Sequence, residues 1–423
     1  MEYKQIDKRS YKLHLIKTDK FKTITVRCIF KEKINKEEIT IRNFLFELLL
    51  SSCKKYPSKR NFSIAKQELY DLNLYGNNTR IGNTFSTEIS ISMLENKYIN
   101  DDITMKGLEF LKEVIFNPNL EDNKDFRNNF NITKNYLLSY IKQGYDYPKS
   151  YSYMRLKNLM GEDYSFSYNM DGNIKDLEEI TLTSLQKYYD KFIKNSLIDI
   201  YVIGNINFYE MENAISKTFN FKKIKKDELS FKINYIPKSK KLIKYEESKN
   251  FNQTRLLISC YLKKLTEKER KYVMFLYNII LGASPDSFLF KNVRESKSLT
   301  YDILSAYRKS DNFLVISSGI DYVKCNEVIK GIKKEMNNIR KGKFSIEKLN
   351  NAKSLMISSL KEFDEYPSSI IDYYFSMEYL DCDNIETAIK EVLNITKKDI
   401  IKVSKKINMD IIYVLKETKD ERD

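Results

Sequence analysis

One histidine, His14, is the whole imidazole complement of this 423-residue chain, and tryptophan is absent. A zinc hydrolase site that draws two or three imidazoles from a single chain is therefore excluded, as is a chymotrypsin-type triad unless His14 is its base. The five cysteines, Cys28, Cys53, Cys260, Cys325 and Cys382, are far apart and never in Cys-Xaa-Xaa-Cys spacing. Neither a disulfide framework nor a thiolate metal site is signalled, and free, mostly buried thiols in a reducing compartment are expected. The opening stretch MEYKQIDKRSYKLHLIKTDKF lacks an apolar core, so no secretory signal is expected. The apolar runs FLFELLL from Phe44 and YVMFLYNIIL from Tyr272 fall short of the roughly 18 to 20 residues that a membrane span needs. A cytoplasmic protein with no membrane partner is the expectation.

Charge is plentiful, with 73 Lys+Arg against 58 Asp+Glu and a net charge of +15. Lysine and glutamate alternate throughout, as in KEKINKEE and KKLTEKERK, which reads as a solvated surface rather than a nucleic-acid face. An RNA- or ribosome-binding role driven by the charge is the weakest of the readings, since no recognition helix or aromatic-studded strand stands out. The length suits about two or three domains, each able to bury its own core.

Self-similarity at about half the length organises the chain. The string SLQKYYDKFIKNSLIDIYVIG, ending at Gly204, matches DIIKVSKKINMDIIYVLKE, with Tyr201-Val202 answering Tyr413-Val414. Both predict an amphipathic helix followed by a β-branched strand. NITKNYLLSYIKQGYDYP, ending at Pro148, matches NAKSLMISSLKEFDEYP, ending at Pro367, each a long helix closed by an acidic-aromatic turn. FLFELLLSS from Phe44 matches FLYNIILGA from Phe275, each apolar around most of a helix and so buried. The three pairs recur in one order, which predicts two copies of one α+β unit: a strand, a buried helix, a hairpin, longer helices and a closing helix-strand. Domains over 1–220 and 248–423 follow, with the lysine-heavy stretch 221–247 as linker. Its lysine cluster, starting at Lys222, has too few aromatics nearby for base stacking.

With these strings in place the chain resembles the pitrilysin/insulinase family of metallopeptidases in its short two-domain form. FLFELLLSSCKKYPSK stands where active members carry the inverted zinc motif His-Xaa-Xaa-Glu-His, and ELYDLNLYGN (Glu68 to Asn77) and GLEFLKEVIFNP (Gly107 to Pro118) resemble other landmarks. The resemblance implies two homologous domains, each an antiparallel-rich sheet covered by helices, forming half of a clam-shell chamber. Anchored on Lys54-Lys55-Tyr56-Pro57, the first histidine of the motif falls on Asn43, the catalytic glutamate on Phe46 and the second histidine on Glu47. The downstream glutamate ligand, counted back from Asp146-Tyr147-Pro148, falls on Tyr140. One carboxylate with an amide and a phenol cannot hold catalytic zinc, and Phe46 cannot activate its water. No register shift helps a chain with one imidazole. Glu47, a carboxylate in an apolar helix, is expected to take a hydrogen bond from a nearby Lys or Ser.

The second half keeps what the first lacks. LGASPDSFLFKNVRESKSLTYDILS, from Leu281 to Ser305, resembles the family segment whose arginine and, seven residues on, tyrosine bind the substrate backbone and the carbonyl under attack; these fall on Arg294 and Tyr301. An arginine fork and a phenol are suited to stabilising a developing oxyanion. Many relatives have Ser-Arg-Leu-Phe where this chain has Ser287-Phe288-Leu289-Phe290, so any contact of that arginine is absent. Gly282 is expected to end its helix in a left-handed conformation before Pro285. The resemblance extends to the non-peptidase branch associated with modification of a translation factor. It implies a catalytically inactive subunit that binds peptide and completes in trans the site of a zinc-bearing homologous partner, with no cofactor of its own. The alternative is a non-enzymatic protein-binding module linked to translation-factor modification.

Overall fold

The repeat in the sequence is a repeat of topology. A computed structural model describes residues 1–222 and 228–418. The first of its two units comprises Met1–Gln143 and Asn169–Ser230; the second comprises Gly144–Tyr168 and the chain from Phe231 on.

Among the described residues the first unit holds a six-stranded sheet of β1 (Glu2–Asp7), β2 (Lys12–Lys17), β3 (Thr23–Lys33), β4 (Asn73–Ile81), β5 (Thr84–Leu94) and β6 (Leu197–Gly204), ordered β1-β2-β6-β3-β5-β4. The second unit holds β7 (Ile243–Lys249), β8 (Thr254–Leu262), β9 (Thr300–Arg308), β10 (Phe313–Ile320) and β11 (Ile407–Glu417), ordered β7-β11-β8-β10-β9. Without β1 the two orders correspond strand for strand. In each sheet one pair is parallel, β2 with β6 and β7 with β11, and the remaining neighbours are antiparallel. The correspondence reaches single residues. Tyr201 sits between His14 and Arg27, and Tyr413, its match in the repeat, sits between Tyr245 and Leu257. The matched apolar strings form the helices Ile39–Leu49 and Met274–Leu281, the second led by a π-helical turn Glu269–Val273. In the second unit that helix joins Leu256, Ile258, Leu314 and Ile316 of the sheet and Val328 and Ile332 of the helix Cys325–Arg340 in one core.

One exchange lies outside the sequence boundaries at 220 and 248. The helix Pro148–Met160 is written in the first repeat, yet it packs in the second unit. Its Leu156 and Met160, with Phe166, join Leu257, Val315, Ile411 and Tyr413 in an apolar cluster. Amphipathic spacing tells which face of a helix is buried but not which sheet covers it.

The stretch 221–247 is not a simple tether either. Residues 223–227, most of its lysine cluster, lie outside the described residues. Beyond them Phe231, Ile233 and Tyr235 are buried at alternate positions. The backbone N–H groups of Ile233 and Tyr235 donate to the carbonyls of Ser310 and Asp311, at 2.6 and 3.3 Å, and the Tyr235 hydroxyl donates to Asp410. Ile243 already opens β7.

Gly282 corrects another expectation. Its φ is −161°, so it is not left-handed. Its carbonyl accepts from Ser305 N–H, and a Cβ there would lie 2.9 Å from that nitrogen and 2.8 Å from Ser305 Oγ. Close approach of β9 to the helix end is what requires glycine. Gly282→Ala is expected to lower stability by about 1–3 kcal/mol, the usual range for overpacking, read from urea unfolding midpoints.

The first sheet buries charge. Lys31 and Asp199 form an ion pair, and both are almost fully buried. His14 is fully buried; its ring stacks on Tyr201 at 4.1 Å, its Nδ1 lies 2.8 Å from the Tyr3 hydroxyl, and its Nε2 is 3.9 Å from Asp199. The sole imidazole is packing material, closed off from any substrate. Cys28, Cys53, Cys260 and Cys325 are buried free thiols and Cys382 is half-buried. Among the described residues no helix is long and apolar enough to cross a membrane.

Candidate functional site

The helix Ile39–Leu49 presents the first group of positions. Asn43 is held by two hydrogen bonds: its Nδ2 donates to the Met170 carbonyl at 2.8 Å, and its Oδ1 accepts from Asn78 of β4 at 2.9 Å. Phe46 lies under the same strand, where a Cβ on Gly76 would come within 2.8 Å of its ring. Glu47, one helical turn from Asn43, is half-buried, and among the described residues no side chain hydrogen-bonds to it. Burial raises its pKa, and the charge of Lys59 opposes that rise. The expected hydrogen bond from a Lys or Ser is thus replaced by a longer-range attraction.

Tyr140 stands on the helix Lys124–Asp146 with its ring stacked on Tyr136, centroids 6.2 Å apart, and both rings are exposed. The pKa of Tyr140 is raised by the charge of Asp171 first, then by burial, Tyr136 and Glu47; burial and Glu47 raise that of Tyr136. Glu47 and Tyr140 thus act on one another through charge, together with Tyr136 and Asp171, which the sequence does not single out. Tyr136 precedes Tyr140 by four residues on one helix face, a spacing that could have flagged it; Asp171 has no local signal. The donors do not fit zinc. An amide engaged in two hydrogen bonds, an aromatic ring, one carboxylate and a phenol offer no tetrahedral N/S/O set. Among the described residues no group of three or more His, Cys, Asp or Glu could hold a metal ion.

The second group of positions lies in the second unit and is marked by backbone irregularities. Arg294 sits in a π-helical turn, Phe290–Glu295, its guanidinium 4.7 Å above the Phe290 ring. Among the described residues it makes no ion pair, with Glu295 or with any other acid. Ser298 follows at φ +49°, a left-handed conformation that is strained for a residue other than glycine. Its N–H donates to the Arg294 carbonyl at 2.9 Å, and Leu299 N–H donates to the Val293 carbonyl at 3.3 Å.

Tyr301 then falls at a break in register. Asp302 pairs with Gly319 but Thr300 pairs with Ile320, leaving Tyr301 as the extra residue of a β-bulge. The matching hairpin in the first unit, β4 with β5, keeps one register from end to end. Tyr301 is 57% exposed, and its hydroxyl donates to Asp321. That bond, more than burial, raises the phenol's pKa and keeps it protonated well above neutral pH. Tyr301 and Lys324, 3.2 Å away, in turn hold the Asp321 carboxyl below its ordinary range. Asp321 is twenty residues from Tyr301 in sequence, and only the closing of the β9–β10 hairpin brings it there. π-helical turns, bulges and strained φ values concentrate at functional sites, and here all three fall between Phe290 and Tyr301.

Comparison with known proteins gives a consistent likeness for the chain as a whole. Residues 179–356 match the model of the peptidase M16 inactive domain. The chain is 26% identical over 414 residues to the probable inactive metalloprotease YmfF of Bacillus subtilis, spanning 96% of this chain and 95% of that protein. It is 23% identical over 263 residues, 62% of this chain and 61% of the other, to the uncharacterized zinc protease YmxG of the same organism. A conserved protein from Enterococcus faecalis has the same fold over 100% of both chains, with a TM-score of 0.91 at 24% identity. A peptidase M16 inactive domain from Pseudomonas fluorescens does so over 100% of both chains, with a TM-score of 0.79 at 14% identity. Over residues 179–356 the sequence is thus similar to the inactive domain of M16, or pitrilysin/insulinase-type, peptidases, and the whole chain has the fold of such proteins.

Proposed function

We propose that this inactive M16 homologue is the non-catalytic subunit of a two-chain peptidase, presenting Arg294 and Tyr301 to a peptide held at the zinc of a homologous partner. The observation that carries the reading is the run of irregular backbone from the π-helical turn at Phe290 to the bulge at Tyr301, in a hairpin whose duplicate is regular. Strain of this kind is retained where a side chain must be aimed. The guanidinium has no carboxylate partner among the described residues and offers a planar fork to peptide carbonyls. The phenol has one proton, now donated to Asp321. An oxyanion developing on the attacked carbonyl competes for that proton, and Lys324 remains to balance Asp321 when the phenol turns away. Peptide would add as a strand to a sheet edge such as β4 or β9, which gives main-chain affinity with loose side-chain demands. The +15 charge favours acidic segments.

The test is to purify this chain and a zinc-motif homologue from the same source, and to assay peptide cleavage apart and mixed. Turnover that appears or rises at least tenfold on mixing, with zinc stoichiometric in the partner alone, supports the proposal. Chelator-sensitive cleavage by this chain alone overturns it.

A second reading rests on the same hydroxyl. Because the single proton of Tyr301 is already engaged, the site also suits a binding module without turnover, tied to translation-factor modification. It would show a stable complex with such a factor and no cleavage by any mixture.

A further inference from the structure

The second unit contains a cavity of about 350 Å³ that the peptidase reading does not use. Phe275 of the helix Met274–Leu281, Met356 and Leu360 of the helix Ile346–Lys361, and Ala388 of the helix Ile385–Leu393 contribute its apolar wall. Its volume lies within the 300–1,000 Å³ range of small-molecule sites. At about 30 Å³ for each non-hydrogen atom, the share of a liquid water, it holds roughly a dozen atoms.

Four cations line it, and they divide into two kinds. Lys232 pairs with Asp381 at 2.9 Å, and Lys271 lies 3.0 Å from Asp383 and 2.8 Å from Glu267, so both are neutralised. Lys309 is different: its ammonium donates to the Leu380 carbonyl at 3.2 Å and to Cys382 Sγ at 3.4 Å, neither of them a carboxylate. Arg270 has no ion pair among the described residues, and its backbone carbonyl accepts from Tyr307. Both side chains are half-buried. Asp383 also lines the cavity, but Lys271 and the Tyr272 hydroxyl hold its carboxylate, so two cations without carboxylate partners among the described residues, beside an apolar wall, form a place for one anionic head and one apolar tail. Partial desolvation strengthens the head contact relative to water. Met356 is unbranched and adaptable, which suits an alkyl chain more than a rigid ring.

We propose that this cavity binds an amphipathic carboxylate of the medium-chain fatty-acid class, its head between Arg270 and Lys309 and its chain against Phe275, Met356, Leu360 and Ala388. The proposal stands apart from the peptidase reading and is tested without it.

Isothermal titration of the full chain with sodium decanoate, twelve non-hydrogen atoms, is expected to show one site. Arg270→Gln and Lys309→Gln each weaken binding tenfold or more, and 1-decanol, with the same chain and no charge, binds at least tenfold more weakly. Met356→Trp and Ala388→Phe fill the cavity and abolish binding; either suffices if its circular dichroism matches the parent. Equal affinity for decanoate and decanol, or charge variants that bind as the parent does, overturn the proposal. So does an absence of binding heat and thermal shift with decanoate, including the case where a peptide ending in an apolar residue binds instead.

Discussion

If the chain completes a partner's site in trans, Tyr301→Phe is expected to lower the turnover of its mixture with a zinc-bearing homologue by about 100-fold, and Arg294→Ala by a similar or larger factor. One preorganised donor to an oxyanion is worth on the order of 100- to 1000-fold in other hydrolases. If the phenol acts only as charge develops, kcat and kcat/KM fall together, whereas a loss of ground-state grip appears in KM alone. If Arg294 also reaches peptide carbonyls before reaction, its removal raises KM as well. Both side chains are at the surface of their elements, and Tyr301 is 57% exposed, so the variants keep the parent circular dichroism and association with the partner. Asp321→Asn is the informative control. It removes the carboxylate that holds the Tyr301 proton while leaving the phenol in place. If substrate must compete with Asp321, this variant retains or gains activity. Rates within twofold of the parent for both Tyr301→Phe and Arg294→Ala end the trans-completion proposal and leave the binding-module reading.

How far the sequence carried the structure differs between fold and site. The duplication was legible because three matched strings each carry a hydrophobic period, and burial enforces that period in both copies. Tyr201 and Tyr413 occupy corresponding positions in their sheets for this reason. The exchange of the helix Pro148–Met160 was not legible, since Leu156 and Met160 would satisfy any apolar sheet. The buried alternation within 221–247 was legible in principle. Phe231, Ile233 and Tyr235 alternate in the sequence, but surrounding lysines obscure a period of two that only three residues carry. At the site, residue types were readable and their setting was not. Nothing near Tyr301 announces a bulge, because a bulge is a property of the register between two strands. Gly282 shows the same limit: the residue was singled out, but its cause is Ser305, more than twenty positions away.

The largest stability effect is expected at Asp199. Asp199→Ala leaves the Lys31 ammonium almost fully buried with its carboxylate partner gone, and breaking one side of such a pair costs about 3–5 kcal/mol. That is a large part of the roughly 5–15 kcal/mol that holds a domain together. Replacing both partners with apolar residues of similar size, Lys31→Met with Asp199→Leu, removes the stranded charge and is expected to recover most of the loss. The pH dependence has a definite sign. Burial alone would raise the Asp199 carboxyl, but the Lys31 charge and His14 outweigh it and hold the pKa below the ordinary value. A depressed carboxylate contributes its full stability above the unfolded-state value near 4, and that contribution is lost as pH falls through the lower, folded value. Urea midpoints measured from pH 7 down to pH 2 should therefore fall less steeply below pH 4 in the double variant than in the parent. A single variant that unfolds within 1 kcal/mol of the parent at pH 7 would mean that the Lys31 ammonium finds water or another acceptor once Asp199 is gone.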